Sequence, residues 1–136
     1  MKIEDVKDAL NTALEKRRAR AFITLLIGGI QTPVLQDGIH FFEQQDHVVK
    51  IHTSSGVLQT SQTVRMNNIE KQLPSPPFLR CHQSFIINMD YVRNMDTDFS
   101  YFVMQGGENV LIRQRVAGKI KKTFEDYRAD RTRSGG

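Results

Sequence analysis

The stretch from Pro77 to Val92 constrains the fold of this chain more than any other segment. An apolar residue, Phe78, precedes a polar block that runs from Arg80 to Ser84, and a second apolar run, Phe85 to Ile87, follows it. Because apolar segments on both sides attach the block to a core, its side chains are held rigidly. The block contains a guanidinium, an imidazole, an amide and a hydroxyl, which are groups that hydrogen-bond phosphates and base edges. The stretch therefore predicts either a recognition edge or a polar loop that only joins two strands.

Short β-branched and aliphatic runs, separated by glycine or polar turns, predict an antiparallel β domain over residues 21–127. The pairs Gly28-Gly29 and Gly106-Gly107 are hairpin turn signals. The strands predicted outside the polar-block stretch are Phe22–Ile27, Ile30–Leu35, Ile39–Glu43, Val48–Thr53, Val57–Ser61, Tyr91–Met95, Phe99–Met104 and Val110–Arg113. Together with the stretch itself they form a mostly β domain of roughly ten short strands in stacked sheets.

Apolar residues recur every three or four positions between Ile3 and Arg18, which predicts an amphipathic helix within residues 1–20. A helix of this length is not expected to be stable alone in water. Its apolar stripe must therefore dock on the β domain that follows or on a partner protein. The second destination gives an alternative interpretation of the chain, a β-sandwich module that binds a protein through the stripe from Ile3 to Leu14.

Two further helices are predicted, one within the β domain and one after it. Thr63 is expected to cap a short middle helix, which ends before Pro74 and has an apolar side formed by Val64, Ile69 and Leu73. Helical spacing predicts a C-terminal helix from Val116, Ile120, Phe124 and Tyr127. The remaining residues, 128–136, are polar and end in glycine, so we expect a disordered tail.

The charge distribution is compatible with a polyanionic partner. The chain has a net charge of +4 and a pI near 9.4. From Arg113 to Gly136 there are eight basic residues and three acidic ones, so this segment alone exceeds the net charge of the chain. The longest apolar run, Ala21 to Ile30, is too short to span a membrane, and the first residues lack the apolar core of a signal peptide.

Catalytic and metal-binding patterns are lacking in the sequence. Cys81 is the single cysteine, which excludes an internal disulfide and a cysteine-based zinc cluster and fits a reducing cytosol. Cys81 and His82 are adjacent, so they would face opposite sides of a strand, and His47 and His52 would also oppose each other. The sequence contains no nucleophile elbow, phosphate loop or zinc-protease motif. We therefore expect no enzyme activity, no cofactor and no metal.

Residues Phe78 to Asn88 have the pattern F-x-R-x-H-x-S-F-I-I-N, which resembles the core signature of the LytTR family, the DNA-binding output domains of many bacterial response regulators. Upstream, Gly38–Glu43 and Val48–Thr53 are similar to two strands of that family. Downstream, Gly107–Val116 is similar to its glycine turn, a strand and the start of its last segment. The chain departs from the family at Gly38, where an aspartate is usual, and at Gln114, where a serine is usual.

The resemblance implies stacked antiparallel β-sheets and sequence-specific binding of double-stranded DNA, with loops that enter the major groove. It implies a cytoplasmic transcriptional regulator and allows a receiver domain in cis. Carried over by position, the residues implied for base contacts are His47, Gln83 and Arg115. From their side-chain chemistry, the candidates for phosphate contacts are Arg80, His82, Ser84, Arg113 and Lys119.

The alternation of an extended backbone limits how many residues of the polar block can face DNA. Arg80 and His82 would lie on the side opposite Cys81 and Gln83, so either His82 or Gln83 is structural. The resemblance favours Gln83 as the base contact and leaves His82 to brace the edge of the core. We expect Phe85 to lie in the core. The chain has no long coiled-coil seam, so we also expect a monomer in isolation, paired on repeated half-sites of DNA.

Overall fold

The computed structural model describes residues 21–135, so the predicted helix between Ile3 and Arg18 lies outside the described residues. Within them are ten strands: β1 Phe22–Ile27, β2 Ile30–Leu35, β3 Ile39–Gln45, β4 Val48–Thr53, β5 Gly56–Gln59, β6 Phe78–His82, β7 Phe85–Asn88, β8 Val92–Met95, β9 Tyr101–Met104 and β10 Asn109–Leu111. Helix α1 is Met66–Gln72 and helix α2 is Ala117–Gly135. Short 3-10 turns occur at Gln36–Gly38, Met89–Tyr91 and Gln114–Val116. Neither α-helix is long and apolar enough to cross a membrane.

The strands form three antiparallel sheets, which confirms the predicted mostly β fold. The central sheet has five strands in the order β5-β4-β3-β7-β6. A two-stranded sheet, β1-β2, packs with α1 on one face, and a three-stranded sheet, β10-β9-β8, packs with α2 on the other. Adjacent residues of β3 show this division, because Phe42 is buried in the first core and Phe41 in the second. Successive side chains of a strand point to opposite faces, so one central sheet supports both cores.

The hairpin between β1 and β2 has the turn that the sequence predicts. Gly28 and Gly29 have φ angles of +59° and +79°, and β1 pairs with β2 in unbroken register from Phe22 with Leu35 to Ile27 with Ile30. Both turn residues lie in the left-handed region that glycine adopts without a steric cost, which is the requirement of a type I′ hairpin turn.

The middle helix begins later than predicted. Its first residue is Met66, and the N-cap is Arg65, which provides no side-chain hydrogen bond, so the expected cap by Thr63 is wrong. The predicted apolar side is confirmed: Ile69 is fully buried, and Val64 and Leu73 pack against the same core. Burial, rather than capping, therefore positions this helix.

Strand β9 is shorter than predicted because its approach contains a tight turn. Phe99 has a φ of +57°, and its backbone N–H donates to the carbonyl of Asp96 at 2.9 Å. A non-glycine residue in this region cannot continue a strand. Pairing therefore begins at Tyr101, which lies opposite Leu111 of β10.

The C-terminal helix is longer than predicted, and the disorder expected after Tyr127 is wrong. Helix α2 continues to Gly135, and its side chains bond to the three-stranded sheet. Arg128 donates to the carbonyls of Val92 and Arg93. The Tyr127 hydroxyl donates to the Asp90 carboxylate at 2.6 Å, and Arg131 donates to the same carboxylate. Burial raises the pKa of the Tyr127 hydroxyl, so it stays a donor at neutral pH. These polar contacts hold a segment whose composition alone indicated disorder.

Candidate nucleic-acid interface

The polar block forms the end of β6 and a two-residue turn, Gln83 and Ser84, that leads into β7. The pairing register shifts between Arg80 and His82, because Arg80 lies opposite Ile86 while His82 lies opposite Phe85. Such a bulge breaks the simple alternation of the strand. Strand β6 is also an edge of the five-stranded sheet, so the block is an edge hairpin rather than an interior loop.

Within this hairpin, the His82 side chain has structural contacts and the Gln83 side chain does not. The backbone N–H of Ser84 donates to Nδ1 of His82 at 3.1 Å, and the imidazole packs edge-on against Phe85, with 5.7 Å between ring centroids. The Gln83 side chain is exposed and has no hydrogen-bond partner among the described residues. Phe85 packs at the border of the second core and is only half-buried, so it is less buried than predicted.

Arg80, expected at a phosphate, is held by the protein itself. Its side chain is 19% exposed. Nε donates to the carbonyl of His82 at 3.0 Å, and Nη2 donates to the carbonyl of Gln83. Nη1 donates at 2.9 Å to Asn67 Oδ1 and at 2.9 Å to Glu70 Oε1, both on α1. The guanidinium thus joins the helix to the turn. The sequence did not identify Asn67 and Glu70 as partners of Arg80, because neither residue lies in a motif.

The β3–β4 turn lies beside the β6–β7 turn at one end of the central sheet. The backbone N–H of Gln44 donates to the carbonyl of Ser84 at 2.8 Å, so the pairing of β3 with β7 continues to the turn itself. His47 follows Asp46, whose φ is +55°, at the tip of the β3–β4 turn. Its side chain is exposed. Two of the three residues implied for base contacts are therefore on neighbouring turns.

The segment after β10 lies alongside β6. The backbone N–H of Arg113 donates to the carbonyl of Cys81 at 2.7 Å, and the Cys81 thiol donates to the carbonyl of Leu111 at 3.4 Å. The Gln114 amide donates to the carbonyls of Phe99 and Ile112, which fixes the 3-10 turn that follows. In that turn Arg115 is exposed and has no side-chain partner among the described residues. The third implied base contact thus lies two residues after a backbone bond to β6.

A shallow cavity of about 300 Å³ lies where α1, the β6–β7 hairpin and the start of the C-terminal segment meet. Its lining residues are Asn67, Arg80, Cys81, His82, Gln83, Arg113 and Val116. Lys119, in the first turn of α2, is exposed, and the buried side chains of Ile120 and Phe124 anchor that helix in the second core. The candidate interface is therefore an irregular surface with exposed cations along one side.

Cys81 is part of the support of this surface rather than a reactive group. It is fully buried in the second core. Burial raises the pKa of its thiol to about 12, so the thiol stays protonated at neutral pH. Among residues 21–135 no group of three or more histidine, cysteine or carboxylate side chains is placed to hold a metal ion.

Comparison with known proteins identifies sequence relatives of this chain. The family described as "LytTr DNA-binding domain" matches residues 31–125. The chain is 24% identical to the sensory transduction protein LytT of Bacillus subtilis over 85% of its own length and 48% of that protein. It is 27% identical to the transcriptional regulatory protein LytR of Staphylococcus aureus over 70% of its length and 39% of that protein. For the transcriptional regulatory protein NatR of Bacillus subtilis, identity is 41% over 65% of the chain and 37% of that protein. The chain spans less than half the length of these curated relatives.

A solved structure has the same fold. The LytTr DNA-binding domain of a putative methyl-accepting/DNA response regulator from Bacillus cereus superposes with a TM-score of 0.64 at 24% sequence identity. The match covers 76% of this chain and 95% of that domain. At this level of identity the comparison shows a shared arrangement of strands and helices alone.

Proposed function

This chain belongs to the LytTr DNA-binding domain family, whose members bind DNA, and we propose that it recognises specific double-stranded sites as the output domain of a transcriptional regulator. The observation that carries the proposal is the joining of three separate segments by backbone hydrogen bonds. Gln44 bonds to Ser84, and Arg113 bonds to Cys81. These bonds support a surface on which the β3–β4 turn, the β6–β7 turn and the segment after β10 act together.

Each of these segments contributes one exposed side chain that we propose reads a base: His47, Gln83 and Arg115. A guanidinium offers paired donors that match O6 and N7 of guanine, while a glutamine amide pairs with N6 and N7 of adenine. The major groove is wide enough for protein elements other than helices, including β-ribbons. Turns that project from one end of a sheet therefore fit the groove in the same way.

We propose that a second set of residues contacts phosphates and sets the register on the duplex: His82, Ser84, Arg113 and Lys119. Arg113 and Lys119 are exposed cations on either side of Arg115. His82 accepts the N–H of Ser84 through Nδ1, which directs its proton to Nε2 as a donor. Contacts of this kind supply affinity without sequence preference.

The chain matches only part of the length of its curated relatives. Its relatives are more than twice as long as the part that matches. We propose that a receiver domain precedes the DNA-binding domain in the complete regulator. Two copies would then occupy repeated half-sites on one face of the duplex.

Selection of bound sites from random duplexes tests this function, followed by titration of the selected duplex and a scrambled one of equal length. We expect binding of the selected duplex at least about a thousandfold tighter, the usual lower range for specific over non-specific affinity. Equal affinity for both duplexes would contradict sequence-specific recognition. No binding of either duplex at low salt would contradict DNA binding by this chain, and would favour a protein-interaction module.

A further inference from the structure

We propose that Arg80 is a positioning residue for Gln83, and that it links helix α1 to base recognition instead of contacting a phosphate. This inference rests on the proposed function, because it assigns Arg80 a task in the reading of one base pair. The exposed tip of a two-residue turn is free to move unless its carbonyls are held. Arg80 donates to the two carbonyls at the start of this turn, those of His82 and Gln83.

The other side of the guanidinium is fixed by α1. Asn67 and Glu70 accept from the same nitrogen, Nη1, and both lie on a helix whose Met66 and Ile69 are buried in the first core. A planar guanidinium can serve acceptors in two directions at once, while a lysine ammonium is a compact charge without this fork geometry. The position of Gln83 thus depends on a helix that is not part of the hairpin.

The charges around Arg80 also argue against a phosphate contact. Its side chain is 19% exposed, and its partner Glu70 is 50% exposed. A phosphate that approached Arg80 would meet the Glu70 carboxylate first or displace it, which would expose two like charges to each other. Arg113 and Lys119 are exposed cations with no such competitor among their described contacts. They are better placed to neutralise the DNA backbone.

Two variants give opposite results under the two roles. Arg80→Lys keeps the positive charge but loses the fork, so a phosphate contact would survive and a positioning contact would not. The double variant Asn67→Ala with Glu70→Ala keeps Arg80 and removes its support on α1. If Arg80 bound a phosphate, this change would leave the discrimination between bases unaltered. Arg93→Lys is the matched control, since Arg93 lies on another sheet and donates to the Gln105 carbonyl rather than to the β6–β7 turn.

The first measurement is amide hydrogen exchange in the free domain. The reporters are the N–H groups of Ser84, bonded to His82, and of Gln44, bonded to the Ser84 carbonyl. We expect about tenfold faster exchange of both in Arg80→Lys and in the double variant, with no change in Arg93→Lys. Exchange as slow as in the wild type would overturn the positioning role, whatever the DNA binding shows. If Arg80→Lys does not fold, the double variant of two exposed residues decides alone.

The second measurement is affinity for a panel of single-base changes in the selected duplex, with Gln83→Ala to mark the base pair read by the turn. We expect Arg80→Lys and the double variant to lose about tenfold in discrimination at that base pair. Affinity of Arg80→Lys for scrambled duplex should stay unchanged because the positive charge is kept, while the double variant loses the Glu70 carboxylate and should bind all duplexes more tightly. Wild-type discrimination at that base pair in either variant, or a Gln83→Ala profile equal to wild type, would overturn the proposal. If the wild-type domain binds no duplex, the proposed function fails, and the exchange rates still decide whether Arg80 holds the turn.

Discussion

The backbone N–H of Arg113 donates to the carbonyl of Cys81 at 2.7 Å, although Cys81 lies in the five-stranded sheet and Arg113 follows β10 of the three-stranded sheet. Cys81 lies within the polar block, two residues before Gln83, and Arg113 lies two residues before Arg115. Gln83 and Arg115 are far apart in sequence, but each lies two residues from an end of this one hydrogen bond. Because the bond is between main-chain atoms, replacement of either neighbouring side chain should leave it intact.

Replacement of Gln83 or Arg115 by alanine should relax the preference at one base pair each, at a cost of about 1–3 kcal/mol for the preferred base. Both side chains are exposed, so the melting temperature should stay within about 2 °C of wild type. Binding of each variant to the panel of single-base duplexes measures the effect. A normal melt with wild-type preference for Arg115→Ala would remove that residue from the set of base contacts.

Lys119→Ala provides the contrast with a base contact. If Lys119 neutralises a phosphate, its loss should weaken binding about equally on selected and scrambled duplexes and make the salt slope shallower by about 1. Titration at several salt concentrations gives both values. A change in base preference without a change in slope would instead place Lys119 at a base edge.

The affinity of the whole domain should fall steeply with salt. If four to eight phosphates are neutralised, log affinity should change with log salt at a slope of roughly −4 to −7. The exposed cations Arg113 and Lys119 account for part of this number. A slope shallower than about −2 would mean that the basic C-terminal segment does not lie at the DNA.

Two phenylalanines on adjacent strands should differ in their contribution to stability. Phe42 is 0% exposed in the first core, so Phe42→Ala should cost about 3–5 kcal/mol and unfold a marginal domain. Phe85 is half-buried at the border of the second core, so it buries less apolar area than Phe42. Phe85→Ala should therefore lower the free energy of unfolding by less than Phe42→Ala. Urea unfolding of both variants tests the order. Equal losses would contradict the burial that the structure assigns to Phe85.

Stability should also fall in mild acid through His40. Its ring stacks on Tyr91 at 4.0 Å between centroids, and Nε2 lies 3.0 Å from the Ser54 hydroxyl. Burial lowers the pKa of His40 below its ordinary value of 6.5, against an opposing effect of Glu108. The unfolded chain then binds more protons, so stability should decrease as pH falls through about 6.5 toward the lower folded pKa. Thermal melts from pH 7.5 to 5 should show a weaker dependence for His40→Gln.

The sequence determined most of the strands and the general nature of the surface. Period-two alternation and glycine turns carry local information, so β1, β2 and β4 match their predicted limits and Phe41 and Phe42 face opposite cores. The apolar runs on both sides of the polar block also indicated that the block is attached to a core. These features depend on neighbours in the chain, which a sequence displays directly.

Only the tertiary structure decided which partners each polar side chain contacts. Whether Arg80 faces solvent or the protein depends on Asn67 and Glu70 of α1, and on a bulge that shifts the register beside it. The helical state of the segment after Tyr127 likewise depends on acceptors in β8 and on Asp90, which precedes β8. Hydrogen bonds of this kind join residues that no local pattern relates, because their geometry exists only once the sheets have stacked. The pairing of Arg113 with Cys81, which joins two parts of the candidate interface, has the same origin.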